Sequence, residues 1–391
     1  MLDRMLMGMP QHARAKVEET LDNINTVSQI NNPKVLKSLG PSAVRGLVQK
    51  QGKRSDSTGM ISQHSVNFDW TYRMDFPEMQ ELYRRAVGNQ WDGDEHIDWS
   101  IDVDPMNPNT PVISNRFLPV DNLRAFGIKL NSKQQAEVNY NISAWMLSQI
   151  MHGEQGALYA SCQVTEAVKW FDGKLYGGTQ VVDEGRHLEV FLRYLDTKLG
   201  KLYDINDNLF VILDGLITDN RWDVKFLGMQ IMVEGLALGA FNTMHNLSKE
   251  PLLRTILKYV IQDEARHVHY GVLALKRAFD EELSPAEKKE RQDWAFEISV
   301  LMKNRFLAHE IYEEWFEGMI SRRQWNALIT ESEAMNIFRT TMFKRLVPNL
   351  EYIGLMPERM IRYYEAAGLT KYMGGKHAVE LTDQEMMADL H

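Results

Sequence analysis

The chain has 391 residues, of which 44% are hydrophobic and 25% charged. That is the balance of a globular protein long enough to bury one large core or two. A net charge of −9 with no basic run argues against a nucleic-acid partner. The single cysteine, Cys162, excludes an intramolecular disulfide and any iron–sulfur cluster held by this chain alone.

Residues 1 to about 60 read as irregular, with breaks at NNPKV, LGPS and QGKRSDSTG. Residues 75–90 read as a helix, and 91–115, rich in Asp, Asn and Pro, as loop. Helical patterns then follow one another. One runs from a cap at Asn131 or Ser132 to about Phe171, and a second from about Gly173 to Leu199. A short apolar helix at 205–218 precedes two more, at roughly 221–248 and 250–283. Ser284-Pro285-Ala286-Glu287 is a capping box with proline at the first helical position, and it opens a further helix. Helix continues to about Tyr372, followed by a polar tail. No useful run of alternating polarity occurs, so the predicted fold class is all-α. The N-terminus lacks the apolar core and small-residue cleavage site of a secretory signal. The longest apolar runs, such as FLGMQIMVEGLALGAF, carry a glutamate and are short for a bilayer. A cytoplasmic protein with no membrane partner is expected.

The pentapeptide Asp-Glu-x-Arg-His occurs twice, as Asp183-Glu184-Gly185-Arg186-His187 and Asp263-Glu264-Ala265-Arg266-His267. Each copy follows another helical glutamate, Glu154 or Glu234, at the same interval of 30 residues. Residues i and i+3 share a helix face, so each Glu-x-x-His can present a carboxylate and an imidazole to one ion. Four carboxylates and two imidazoles with no thiolate suit iron or manganese. The order Glu…Glu-x-x-His, twice, is a recipe for two metal ions inside a four-helix bundle. The predicted ligands are Glu154, Glu184, His187, Glu234, Glu264 and His267. A single Glu-x-x-His carries little information. Here, however, no other histidine has a glutamate three residues before it, and both leading glutamates lie on apolar stripes, where an unpaired carboxylate is costly.

A ligand histidine usually donates its second N–H to a carboxylate. Asp183, one turn before His187 on the same face, and Asp263 are candidates for that role, with Arg186 and Arg266 neutralising them. His152 and His269 lie about 200° around the helix from the neighbouring ligand, and His245 is three turns beyond Glu234, so none of the three is a ligand candidate. Cys162, on a small-residue face, reads as a core thiol. Gly153, Gly156, Ala157, Ala160, Gly235, Ala237, Gly239 and Ala240 leave room between helices, either for a substrate or for close helix packing.

These residues resemble the ferritin-like di-iron carboxylate oxidoreductases, which include ribonucleotide reductase small subunits, multicomponent monooxygenase hydroxylases, acyl-carrier desaturases and arylamine N-oxygenases. The resemblance covers about 75–283. It includes LYRRAVGNQWDGDEHIDWS, similar to the aromatic-Gln-Trp…Ile-Asp stretch of reductase-like members, and HGEQGALYA, similar to the Gly-Glu-x-x-Ala helix of the monooxygenases. It implies a ferritin-like four-helix bundle at 75–283, flanked by extensions at 1–74 and 284–391. It also implies two irons (or manganese and iron) on the six ligands named above. Phe191 stands where reductase subunits carry their radical tyrosine, Leu238 where monooxygenases carry a threonine, and Val260 where N-oxygenases carry an extra histidine. No subfamily is assigned. With Ala157, these three are the candidate pocket residues.

The implied activity is dioxygen-dependent oxidation of a small organic substrate by hydroxylation, N-oxygenation or desaturation, with electrons from an external ferredoxin or reductase. Iron storage and a radical-generating subunit are the alternatives. A homodimer is the default expectation for a soluble oligomer.

Overall fold

The computed structural model describes residues 2–53, 57–114, 117, 120–381 and 385. Among them the chain is all-α, as predicted, and its only β-type contact is an isolated bridge between Glu317 and Ile320.

The N-terminal segment departs from expectation. It forms helices α1 (Gln11–Ser28) and α2 (Pro33–Ala43). Asn-Pro here is a helix start: the Asn32 side chain accepts from the Lys34 N–H while Pro33 occupies the first turn, where its missing N–H costs nothing. Helix α3 (Pro77–Gly88) follows. The Asp-rich stretch after it is loop, folded by its own carboxylates. Asp92, Asp98 and Asp104 each accept from the backbone N–H two residues on.

The next long helices carry the doubled motif. Helix α4 (Ser132–Ala167) opens on a capping box between Asn131 and Gln134. Helix α5 (Phe171–Tyr194) ends in a widened turn, Leu195–Leu199, closed by Gly200 at φ 64°. Helix α6 (Asp207–Thr218) connects to α7 (Trp222–Leu247), and α8 is Pro251–Arg277, capped by the Glu250 carboxylate. Within α7 the residues Leu227–Val233, immediately before Glu234, are wound as π-helix. Helix α9 (Pro285–Asn304) begins at the predicted Ser284 capping box. Four more helices follow: α10 (His309–Trp315), α11 (Arg322–Glu331), α12 (Glu333–Ile353) and α13 (Glu358–Ala366).

Helix α4 packs along α5, α7 along α8, and α5 against α8, while α3 lies across α5 and α8. Helix α12 covers the outer side of α7. It approaches so closely that a Cβ on Gly239 would stand 2.6 Å from the Met342 Cα. Helix α7 is long and apolar enough to cross a membrane, yet 94% of its most apolar window is buried inside the fold, as in a core helix.

Candidate metal centre

The four helices α4, α5, α7 and α8 bring all six predicted ligands to one buried place. Glu154 is 5% exposed, and Glu184, His187, Glu234, Glu264 and His267 are between 0% and 2%. Ligand atoms from Glu154, Glu184, His187 and Glu264 lie within 4.8 Å of one another, as do those of Glu184, Glu234 and His267. Each group has the donors and spacing to hold a metal ion, and Glu184 belongs to both.

The distances give each side chain a place. His187 Nδ1 is 3.2 Å from Glu154, 3.2 Å from Glu264 and 3.7 Å from Glu184. His267 Nδ1 is 3.1 Å from Glu184, 3.6 Å from Glu264 and 4.0 Å from Glu234. Glu184 and Glu264, the glutamates of the two Glu-x-x-His motifs, thus stand between the histidines. Glu154 and Glu234 each flank one of them.

The supporting aspartates are crossed between the copies. On spacing, Asp183 points toward His187, its neighbour on the same helix. In the structure His187 Nε2 faces Asp263 at 3.1 Å, and His267 Nε2 faces Asp183 at 3.4 Å. The reason is the inward face: α5 and α8 pack together there, so each aspartate reaches the facing helix's imidazole more directly than its own. Arg186 pairs with Asp183 at 2.5 Å and with Asp263 at 3.0 Å; Arg266 pairs with Asp263 and, at 3.7 Å, with Asp183. Both arginines are buried and neutralise both aspartates.

Two further residues complete this layer. The Trp91 indole N–H donates to Asp263 at 2.7 Å, and Gln90 donates to Asp183 while accepting from Arg186. Both belong to the Gln-Trp stretch that carried the resemblance, but sequence alone did not give them partners. Gln180 was missed altogether. It lies one turn before Glu184, and its amide donates to Glu184 and Glu234, each at 3.1 Å.

The electrostatics fit divalent cations. Glu184 Oε2, Glu234 Oε2, Glu264 Oε2 and His267 Nδ1 are buried without a hydrogen-bond partner, a costly state that a bound ion would relieve. Burial and the neighbouring Glu264 push Glu154 up to about 8, and burial beside Glu184 and Glu264 raises Glu234 well above the carboxylate range. Burial would raise Glu184 too, but the charges of His267 and His187 beside it outweigh burial and hold Glu184 low. Burial would lower the two histidines. The carboxylates Asp263, Glu154, Glu184 and Glu264 around it instead raise His187, and the charges of Glu184 and Glu264 raise His267. The cluster without metal therefore keeps protons that a metal would displace.

A cavity of about 50 Å³ reaches the cluster at Glu154, Glu234 and Glu264. Ala157 lines it, with Gly153, Ala237 and Ala240. Phe191, Leu238 and Val260 are buried but are not part of its wall, a correction to the expected pocket. The cavity runs along the faces carrying Glu154 and Glu234 on the side of their i+3 residues, Ala157 and Ala237. Leu238, at i+4, falls on the other side, and Phe191 stacks behind the wall on Phe241. Gly156 and Gly239 serve close packing instead, against Leu213 and Met342.

The excluded histidines point elsewhere. His152 meets the Tyr203 carbonyl at 2.9 Å, and His245 meets the side chain of Asn246. Cys162 is half-buried rather than in the core, with its thiol raised by burial and by Glu166.

No protein-family model matches the chain, and no curated protein matches its sequence. Functional assignment therefore rests on the residues themselves.

Proposed function

We propose that the chain is a ferritin-like di-metal oxidoreductase, binding two iron ions (or manganese and iron) and using dioxygen to oxidise a small organic substrate. The observation that carries the reading is the pair of buried donor groups sharing Glu184, with a cavity ending on Glu154, Glu234 and Glu264. When bound, the metals supply dioxygen reduction, which the side chains cannot perform alone.

The residues divide the remaining work. Glu184 and Glu264 stand between the two positions, while Glu154 and Glu234 each complete one. Asp263 and Asp183 fix the imidazoles so that Nδ1 faces inward. Apolar neighbours exclude water from the space beside the glutamates. In a monooxygenation, one oxygen atom enters the substrate and the other leaves as water, consuming two electrons and two protons. With a single half-buried cysteine, the chain needs an external donor such as a ferredoxin or flavin reductase for those electrons.

The test is elemental analysis followed by reaction of the reduced protein with labelled dioxygen in the presence of a reductase. About two irons per chain and labelled product support the reading. Uptake of far more iron would indicate storage. A stable tyrosyl radical with no substrate consumed would indicate a radical-generating subunit.

A further inference from the structure

One cation at the cavity is unused by the metal cluster. Arg305 opens the single 3-10 turn Arg305–Leu307 between α9 and α10, and it lines the same cavity as Glu154, Glu234 and Glu264. Arg305 is partly buried, whereas four fully buried arginines have carboxylate partners: Arg186 and Arg266 with the aspartates, Arg291 with Asp223, Arg322 with Glu313. No carboxylate among the described residues pairs with Arg305, whose guanidinium lies 4.6 Å from the Phe306 ring. Burial alone pulls its pKa down to about 10, and no neighbouring acid opposes the shift. A partly buried guanidinium with no carboxylate partner has donors to offer an anion that enters the cavity.

The rest of the wall is mostly apolar, with Met146, Leu209, Phe241, Met244 and Phe338. At about 50 Å³ the space holds only a few water-sized molecules. Phe306, however, also walls a second cavity of about 420 Å³, lined by Met302, Met335, Met342 and Phe343. Rotation of that one ring would join the two into a space of ordinary ligand-pocket size.

Building on the dioxygen-dependent reading above, we infer that the substrate is an apolar carboxylate whose head pairs with Arg305 and whose hydrocarbon body lies toward Glu154, Glu234 and Glu264. The guanidinium fork matches a carboxylate with two parallel hydrogen bonds. A single unpaired cation suits a monoanion, whereas a phosphate dianion would call for more. The placement also separates the negative head from the four glutamates, so the fixed distance from Arg305 selects which carbon faces the metals.

The probes are octanoate, octanamide, 1-octanol and octyl phosphate, titrated calorimetrically into the full-length protein, metal-free and loaded anaerobically with Mn(II). Octanoate should bind at least tenfold more tightly than the amide or the alcohol. Arg305→Gln should weaken octanoate tenfold to a hundredfold and leave the alcohol unchanged, and Arg305→Lys should fall between. Equal binding of octanoate and octanol by the unaltered protein overturns the inference, and that comparison needs no variant. So does tighter binding of the phosphate, or unchanged octanoate affinity in a folded Arg305→Gln. Metal content and dioxygen consumption of the same samples separate the two readings. Arg305-dependent octanoate binding in protein that holds no metal or consumes no dioxygen keeps the carboxylate site and rejects the oxidase. Normal metal and dioxygen chemistry without carboxylate preference does the reverse.

Discussion

Replacing Asp263 with Asn tests the crossed arrangement of the two motif copies. Its Oδ2 accepts from Trp91 at 2.7 Å, His187 at 3.1 Å and Arg186 at 3.0 Å, and its Oδ1 accepts from Arg266. The amide preserves shape but removes the charge that orients His187. Loss of such an outer partner costs 10- to 100-fold in metal affinity, or roughly 1.4–2.7 kcal/mol. That loss should fall on the position served by His187, and Asp183→Asn should weaken the position served by His267. A double-mutant cycle locates the effect. Once His187 is alanine, Asp263 has no imidazole left to hold, so the pair should couple by about 1–2 kcal/mol. Asp263→Asn with His267→Ala should be additive to within about 0.5 kcal/mol. Affinities are read by anaerobic competition of Mn(II) with a chromophoric chelator. Urea unfolding of the metal-free variants checks the fold. Asp183 still pairs with both arginines, so the stability cost should sit near or below the low end of the roughly 3–5 kcal/mol for a broken buried pair. Stronger coupling of Asp263 to His267 than to His187 would refute the crossing.

Metal binding should release protons. Glu154, raised to about 8, and the raised histidines hold protons in the metal-free fold that the unfolded chain has lost, so that form should lose stability as pH rises from about 4.5 to 8 while metal affinity increases; calorimetry in buffers of different ionisation heat measures the release. His309 runs the other way. Burial, then the Arg322 charge, lowers it to about 4, so the unfolded state binds its proton first and stability falls on acidification from 6.5 to 4 by at most about 3 kcal/mol; His309→Gln should flatten that slope in thermal melts. Gly239→Ala should destabilise by about 1–3 kcal/mol because its Cβ meets the Met342 backbone. Gly153→Ala, with nothing within 4 Å, should be neutral or gain up to about 1 kcal/mol in helix propensity while narrowing the cavity; equal costs for the two would contradict the division between packing and cavity glycines.

The ligand set was legible because it depends on local helix geometry. Glu184 and His187 share a face whatever surrounds them, and two apolar-striped glutamates at equal spacing had little else to do. The supporting layer was not legible, because Asp183 has two imidazoles within plausible reach and only the packing of α5 on α8 decides between them. The N-terminal helices were hidden by reading Asn32-Pro33 as a break, although the same pair is a helix start when a periodic segment follows. Leu238 was assigned to the pocket from the resemblance, because monooxygenases carry a threonine one turn after the corresponding glutamate. A 40° offset sufficed to take it off the cavity side, and sequence periodicity does not resolve that angle. Arg305 carries no sequence signal at all. What distinguishes it is its place in the cavity wall, which only three-dimensional placement reveals.

The twofold repeat of the motif does not make the two donor groups equal. Gln180, one turn before Glu184, donates to Glu184 and Glu234. The equivalent residue one turn before Glu264 is Val260, which has no donor to offer. The π-wound turn Leu227–Val233 delivers Glu234, while Glu154 comes from an uninterrupted helix. An extra residue in a turn re-aims the side chain that follows it, and such turns recur at functional sites. Glu234 accordingly stands 4.0 Å from its histidine, against 3.2 Å for Glu154. Both carboxylates line the cavity, but Glu154 is set close to its imidazole, whereas Glu234 stands farther from its own and accepts from a neutral amide. A carboxylate on a hydrogen bond and a distorted turn changes position more readily than one packed in regular helix. We therefore expect Glu234 rather than Glu154 to shift when a molecule enters the cavity that both line.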